Sequence, residues 1–209
     1  MYDFAIVGAG IAGASLAAGL APHGRVLTLE AEDRAGYHST GRSAAFWTES
    51  YGGPLVQPLT TASFTFLEEH GLLADRGGLT LARASEADAL AEFARTFEAL
   101  GVRVDQLDRA DLEARLPGLK PEWTCGAYEP DCRDIDVAGL HQLYLAQARQ
   151  GGAELWLRAE LARAERQGEG WQLTMADGRT ASAKVLINAA GAWADPVAQR
   201  SGLTPLGIA

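Results

Sequence analysis

Three glycines close to the N-terminus have the spacing of a phosphate-binding turn. Gly8, Gly10 and Gly13 form the pattern G-x-G-x-x-G. In such a turn, the first glycine permits a tight change of direction, the second lets the backbone approach a pyrophosphate, and the third lets helix and strand pack closely. The N–H groups at the start of the following helix, which include those of Ile11 and Ala12, would then face the phosphates. The pattern predicts a dinucleotide-binding site.

An acidic residue follows at the distance that such a site needs. Glu30 stands 22 residues after Gly8, at the end of an apolar run, with Ala31 next to it. A carboxylate there can accept hydrogen bonds from ribose hydroxyls and would repel a 2′-phosphate. We therefore expect FAD or NAD rather than NADP. The alternative is an Ala/Gly-rich helix that packs on a sheet without a ligand, which does not explain the glycine spacing and Glu30 together.

The elements that must position these residues form a strand–helix–strand unit. Asp3–Val7 is a short apolar run, Ile11–Ala21 is rich in Ala and Leu, and Arg25–Glu30 (RVLTLE) has a largely apolar centre between two charged residues. Short apolar runs on both sides of a helix are typical of buried parallel strands. The first and third segments are predicted to be strands and the second a helix.

The remainder of the chain alternates between helical and extended patterns. Ser85 and Asp88 predict a capping box at the start of one helix. Further helices are predicted at 58–70, 85–100, 109–116, 137–148 and from about 192, and strands at 78–82, 102–107, 124–128, 154–158, 171–175 and 183–188. This order predicts an α/β fold in which residues 1–75 and 136–209 form one discontinuous domain and residues 76–135 a part of a mixed α+β domain.

Composition excludes several classes of partner. The chain has 209 residues, 47% of them hydrophobic and 22% charged, and its net charge is −9 without a basic stripe. Nucleic acids and anionic membranes are therefore not expected partners. No apolar run is long enough for a transmembrane helix, and no signal peptide is evident. Cys125 and Cys132 fit neither a zinc pattern nor a disulfide framework, so we expect no metal site and a cytoplasmic protein.

Three segments together resemble a known family. They are "DFAIVGAGIAGASLA", "GYHSTGRSAAF" and "VLINAAGAWAD". In this order they resemble the D-amino-acid oxidase superfamily of FAD-dependent oxidoreductases, and most of all its D-arginine dehydrogenase type. The resemblance implies FAD as the cofactor, in a Rossmann-like domain with a parallel sheet and a β-hairpin, interrupted by part of the substrate domain. Because members of the family are longer, we expect these 209 residues to be an N-terminal portion or a truncated descendant.

The resemblance also implies which residues contact FAD. The loop after the second strand would run beneath the flavin, where Ser39, Thr40, Arg42, Ser43 and Ala44 match contact positions. Hydroxyl groups suit phosphate, ribityl and ring edges, and small residues leave room for a planar ring. The alternative is a polar surface loop before a helix.

Two further segments match cofactor positions in the family. Ala190 and Gly191 end a strand beside the glycine turn, where small residues let the backbone approach a flat ligand. Leu161 and Ala162 would lie near the adenine. The alternative for the first segment is a plain turn before a helix.

The active-site match is weaker. Tyr51 matches a tyrosine over the active site and is the candidate catalytic residue, although it can equally pack under its own turn. Phe46 replaces the active-site histidine of D-arginine dehydrogenases, and Gly78 replaces the acidic residue that faces a cationic substrate. These changes lead us to expect a smaller or more apolar substrate than arginine.

The function that the resemblance implies is oxidation of the C–N bond of a D-amino acid or related amine. Hydride would pass to flavin N5, and the resulting imine would be hydrolysed to a 2-oxo acid, with oxygen or a quinone chain as the electron acceptor. Two alternatives stay open. One is an FAD-binding but catalytically incomplete chain, and the other, which the loop after the second strand disfavours, is an NAD-dependent dehydrogenase.

Overall fold

The computed structural model describes residues 1–208, which divide into two compact units. Unit 1 comprises residues 1–43 together with the chain from Val137 onward, and unit 2 comprises Ala44–Asp136. The boundary that we predict after residue 75 differs from this division. The strand Leu73–Asp75 pairs with Arg133–Ile135, so residues 44–75 belong to unit 2.

Within residues 1–208, the two units contain twelve strands and six α-helices. The strands are β1 (Tyr2–Val7), β2 (Val26–Leu29), β3 (Phe46–Trp47), β4 (Leu73–Asp75), β5 (Gly78–Ala82), β6 (Asp105–Leu107), β7 (Cys125–Glu129), β8 (Arg133–Ile135), β9 (Glu154–Trp156), β10 (Leu161–Gln167), β11 (Gly170–Met175) and β12 (Thr180–Asn188). The helices are α1 (Ile11–Leu20), α2 (Gln57–Glu69), α3 (Ala87–Glu98), α4 (Arg109–Arg115), α5 (Val137–Gln150) and α6 (Ala194–Arg200).

Unit 1 is built on a six-stranded sheet in the order β10-β11-β12-β1-β2-β9. The pairs from β12 to β9 are parallel, and β10 to β12 form an antiparallel meander. Alternate residues of β1 enter two cores: Ala5 and Val7 pack in the core that contains Val197 of α6, whereas Ile6 packs in the core that contains Ala17 of α1. Since both faces of the central strand are covered, residues 4–7 are all apolar rather than alternating.

Unit 2 contains two three-stranded antiparallel sheets, β3-β8-β4 and β5-β7-β6. The apolar stripe of α3 packs through Leu90, Ala94 and Phe97 into a core with Val102 and Val104. These residues recur at the spacing of one helix face, as expected of a helix that packs on one side.

The prediction that Ser85 and Asp88 form a capping box is wrong. A single 3₁₀ turn, Ala84–Glu86, precedes α3, and the carboxylate of Glu86 accepts the Arg83 backbone N–H at 2.9 Å. The extra turn moves the start of α3 to Ala87, so Ser85 does not stand at the N-cap position.

The predicted fold class is confirmed. The chain has an α/β fold with a mixed sheet that contains a parallel core, a β-hairpin and an α+β insertion. The strands β3, β4 and β8 were not predicted, because runs of two or three residues carry no detectable alternation. None of the helices within residues 1–208 combines the length and the apolarity that crossing a bilayer requires.

Candidate functional site

Unit 1 has a cleft of about 350 Å³ at the carboxyl ends of its parallel strands. We call it the strand-end cleft. Gly8 follows β1, Glu30 follows β2, and Ala189 follows β12, and all three line it. Because β1 lies between β2 and β12, the chain leaves the central strands toward opposite sides here, which is where α/β sheets commonly bind ligands.

Two glycines of the fingerprint are required by packing. Gly8 has φ of 104°, and its N–H donates to the Leu29 carbonyl at 2.8 Å. A side chain at Gly8 would collide with the carbonyl of Ala189, and one at Gly13 would collide with the carbonyl of Gly8. Gly10, by contrast, has extended backbone, and an added Cβ would lie 3.2 Å from the Thr40 hydroxyl. Gly8 and Gly13 therefore bring β1, α1 and β12 together, while Gly10 keeps the mouth of the turn open.

The glycine turn is anchored from two distant parts of unit 1. Thr40 Oγ1 accepts the N–H of Ile11, the first residue of α1, at 2.9 Å. His141 Nε2 lies 2.8 Å from the carbonyl oxygen of Ala9 and is buried. A carbonyl only accepts hydrogen bonds, so Nε2 carries the proton and donates. Thr40 thus caps α1, whose own N-cap residue supplies no side chain, and His141 fixes the turn from α5.

Glu30 is buried at the end of β2 and holds the backbone on both sides of the cleft. Its Oε2 accepts the Ala9 N–H at 2.9 Å, and its Oε1 accepts the Glu32 N–H at 3.0 Å. A carboxylate has about four acceptor positions, so two remain available to ligand hydroxyl groups.

Some residues that line the strand-end cleft were not predicted. His38 Nε2 lies 2.8 Å from Glu32 Oε1, and the His38 ring contacts the Trp193 ring with centroids 4.3 Å apart. The guanidinium of Arg200 donates to the Leu161 carbonyl at 2.9 Å and pairs with Glu160. Apart from that of His38 with Glu32, these contacts join residues at least 39 positions apart, which no local sequence pattern can predict.

Most of the predicted cofactor residues meet in the strand-end cleft. Those that line it are Gly8, Gly10, Glu30, Ala31, Ser39, Thr40, Leu161, Ala190 and Gly191. Ile11, Ala12, Gly13, Arg42, Ser43 and Ala44 do not.

The six outside the lining have different environments. Ile11 is the helix residue that Thr40 caps, and Gly13 is buried beneath the turn. Ala12, Arg42, Ser43 and Ala44 are exposed, and Ala44 opens unit 2. Ala162 is likewise exposed and outside the lining, since alternate residues of a strand face opposite sides and its neighbour Leu161 is buried.

The segment after β12 forms a tight connection to α6. Asn188 Oδ1 accepts the Ala190 N–H at 3.2 Å, and Asn188 Nδ2 donates to the Ala194 carbonyl at 2.7 Å. Gly191 has φ of 55° and starts a 3₁₀ turn, and an added Cβ there would meet open space. The helix that was predicted from about residue 192 therefore begins at Ala194, one 3₁₀ turn later.

The candidate substrate-side residues lie in unit 2. Phe46 and Gly78 line a second cavity of about 260 Å³, which also contains the buried carboxylate of Glu129. We call it the Glu129 pocket. Tyr51 does not line it and is 78% exposed. The role of Tyr51 stays a prediction.

Known proteins share this fold over almost the whole chain. The solved structure of glycine oxidase from Geobacillus kaustophilus matches with a TM-score of 0.85 and 26% identity, covering 97% of this chain and 59% of that one. L-α-glycerophosphate oxidase from Mycoplasma pneumoniae, solved with FAD bound, matches the fold with a TM-score of 0.85, 16% identity, and 96% and 57% coverage.

A curated relative gives the same extent of match. L-2-hydroxyglutarate dehydrogenase from Salmonella houtenae is 26% identical over 218 residues, covering 98% of this chain and 51% of the relative. The chain thus spans about half the length of the curated relatives that it matches. The model of the DAO family, described as FAD dependent oxidoreductase, matches residues 3–207. The chain belongs to the DAO family of FAD-dependent oxidoreductases.

Proposed function

We propose that the strand-end cleft holds the adenosine and pyrophosphate part of FAD. The backbone of the Gly8–Gly10 turn and the N-terminus of α1 would hold the phosphates, and Glu30 would accept hydrogen bonds from the ribose. One observation supports this most: Glu30 is buried beside the glycine turn and still has two acceptor positions. Leu161 and Ala190 give the cleft the apolar wall that a planar ring needs.

We propose further that the whole protein oxidises the C–N bond of a small D-amino acid or amine. FAD, when bound, supplies the hydride acceptor. The residues of this chain would hold the cofactor and shape the space for the substrate. The resemblance to D-arginine dehydrogenases would narrow the substrate to a basic D-amino acid. Phe46 and Gly78 argue instead for a molecule that is smaller or more apolar than arginine. The electron acceptor, oxygen or a quinone, is open in this proposal.

A second candidate is oxidation of the C–O bond of a 2-hydroxy acid. The L-2-hydroxyglutarate dehydrogenase that matches 98% of the chain favours it. A third is FAD binding without turnover, since the chain spans about half of that relative. An NAD-dependent dehydrogenase is disfavoured by membership of the FAD-dependent family.

Cofactor titration tests the first part of the proposal. The purified protein, freed of ligand, is titrated with FAD, FMN and NAD, and binding is followed by the flavin absorbance and by intrinsic fluorescence. We expect FAD to bind at least tenfold more tightly than FMN or NAD, because FMN lacks the adenosine that Glu30 would hold. Equal binding of FAD and FMN, or preferential binding of NAD, would contradict the proposal.

Anaerobic bleaching of the flavin absorbance tests the reaction. D-alanine, N-methylglycine and butylamine represent the C–N substrates, and L-2-hydroxyglutarate represents the C–O substrates. Bleaching by the first group supports the proposed function, and bleaching by the hydroxy acid supports the second candidate. FAD binding without bleaching by either group would support the third.

A further inference from the structure

The Glu129 pocket in unit 2 combines a buried charge with apolar walls. Phe46, Leu79, Phe93 and Val104 contribute apolar side chains, and Glu129 contributes a carboxylate that is 6% exposed. The volume of about 260 Å³ suits a molecule of several non-hydrogen atoms.

The Glu129 carboxylate is satisfied by neutral donors alone. Its Oε2 accepts the hydroxyls of Thr48 at 2.9 Å and Ser50 at 2.6 Å, and its Oε1 accepts the Glu49 N–H at 2.7 Å. These bonds use three of about four acceptor positions, which leaves one on Oε1. Within residues 1–208, no ion pair includes Glu129. The structure therefore gives this buried carboxylate no cationic partner within the described residues, and a cationic ligand would supply one.

Arg76 also lines the pocket, but its charge is engaged elsewhere. Its guanidinium pairs with Asp134 at 3.0 Å and lies over the Phe46 ring, 4.1 Å from the centroid. Cys132 lies in the same wall of the pocket. Burial raises the pKa of its thiol, and the negative charge of Glu129 raises it further. Each of these effects is larger than the opposing effect of Arg76. At this wall of the pocket, Glu129 therefore has a larger effect than Arg76.

The space in front of Glu129 is kept open by a glycine. Gly78 on β5 stands directly opposite Glu129 on β7 in the antiparallel register. Directly opposite residues place their side chains on the same face of a sheet. Gly78 has no side chain to cover the carboxylate, and an added Cβ would lie 3.3 Å from the Cβ of Cys132.

We propose that the Glu129 pocket binds a small organic ammonium ion, with Glu129 as its charge partner and Phe46 and Leu79 against its alkyl part. The proposal deepens the proposed function, and rests on it for the claim that the bound molecule is the substrate. It favours an amine or an amino acid, which carries an ammonium group, over a 2-hydroxy acid, which carries none. Binding itself requires neither FAD nor turnover.

Three probes of similar size and different charge test the pocket. Butylamine, which is protonated at neutral pH, is compared with 1-butanol and butyrate in binding titrations of the isotopically labelled full chain, followed by amide chemical shifts. We expect butylammonium to bind at least tenfold more tightly than 1-butanol, and its advantage in affinity over butyrate to be larger still. Its binding should shift the amide resonances of Glu49 and Gly78. Equal affinities, the reverse order, or shifts confined to other residues would overturn the proposal.

Two variants separate the charge from the space. Glu129→Gln removes the charge and is expected to weaken butylammonium binding at least tenfold while leaving 1-butanol binding within twofold. Gly78→Ala narrows the pocket and is expected to weaken the binding of both butylammonium and 1-butanol. If Glu129→Gln does not fold, this variant shows whether the probes bind in the pocket. Glu98→Gln, an exposed site on α3, is the matched control and is expected to bind like the parent chain. If the folded variants bind butylammonium like the parent chain, the proposal is wrong.

Titration with FAD in the same samples distinguishes this proposal from the proposed function. FAD binding with no preference for butylammonium would overturn the ammonium site alone. Butylammonium binding at Glu49 and Gly78 without FAD binding would overturn the cofactor proposal alone.

Discussion

The strand-end cleft of unit 1 and the Glu129 pocket of unit 2 are built in different ways. The cleft is shaped mainly by backbone: the glycine turn, the end of β2 and the end of β12 meet because parallel strands share one edge of a sheet. The pocket is shaped by side chains from β3, β5, β7 and the loop after β3. The first arrangement follows from a short motif, whereas the second depends on strand pairs such as Gly78 with Glu129, 51 residues apart.

This difference bears on specificity. A cleft made of backbone N–H groups and one buried carboxylate suits a ligand common to many family members. A pocket whose charge and width depend on Glu129, Phe46 and Gly78 can change with single substitutions while the cleft stays the same. We therefore expect substitutions in the glycine turn to weaken both the folded state and FAD binding. Substitutions in the Glu129 pocket should change substrate binding alone.

The largest expected effect is that of Gly8→Ala. Ala at φ of 104° is strained, and its Cβ would collide with the carbonyl of Ala189. The free energy of unfolding should fall by about 3 kcal/mol or more, from backbone strain together with overpacking. Chemical denaturation followed by circular dichroism measures this. Gly19→Ala in α1, where the added Cβ meets open space, is the control and should gain up to ~1 kcal/mol from helix propensity. Equal stability of the two variants would contradict the role given to Gly8.

The next effect is that of His141→Ala. The variant loses the Nε2–H donor to Ala9 and leaves a cavity beside Gly36, so the free energy of unfolding should fall by roughly 2 kcal/mol. Because Ala9 also binds Glu30, we expect FAD affinity to fall about tenfold, a loss near 1.4 kcal/mol. His70→Ala, at an exposed site, should change neither quantity appreciably. Normal FAD binding by folded His141→Ala would show that α5 does not position the turn.

A smaller effect is expected for Thr40→Val. The substitution removes the hydroxyl that accepts the Ile11 N–H, which should cost about 1 kcal/mol as the loss of a helix cap. Thr40→Ser keeps the hydroxyl and should retain most of the stability. Thermal denaturation of the two variants side by side is the measurement, and indistinguishable midpoints would mean that water replaces the cap at no cost.

The smallest effect on stability and cofactor binding is expected for Tyr51→Phe. The side chain is 78% exposed and lies outside both cavities, so the free energy of unfolding should change by less than about 0.5 kcal/mol. If Tyr51 is catalytic, the rate of flavin bleaching falls while FAD affinity is unchanged. A change in FAD affinity without a change in rate would contradict that role.

The sequence carried enough information to predict most of unit 1. The apolar run before Gly8, the spacing of the glycines and the position of Glu30 are local features, and local patterns are what helix and strand periodicity can reveal. The contacts of Thr40 with Ile11 and of His141 with Ala9 could not be predicted, since they join residues 29 and 132 positions apart. The sequence alone does not distinguish His141 from other polar residues of its helix, because neither its burial nor its contact with Ala9 leaves a local pattern.

Unit 2 was harder to predict for the same physical reason. Its strands β3, β4 and β8 have two or three residues each, too few for a pattern, and their pairing is long-range. Glu129 is the last residue of β7 and precedes a segment rich in turn-forming residues, and nothing in "YEPDCRD" marks it as buried. Its significance follows only from its three donors in the loop after β3.

The most direct test of the account is the affinity of the Glu30→Gln variant for FAD. Gln keeps the shape but loses one oxygen, so it cannot hold the N–H groups of Ala9 and Glu32 and also accept ribose hydroxyls. We predict an FAD dissociation constant at least tenfold higher than that of the parent chain, whereas Glu169→Gln, at an exposed site between β10 and β11, should stay within threefold of it. FAD binding by Glu30→Gln that equals the parent chain would contradict the assignment of the strand-end cleft to the cofactor.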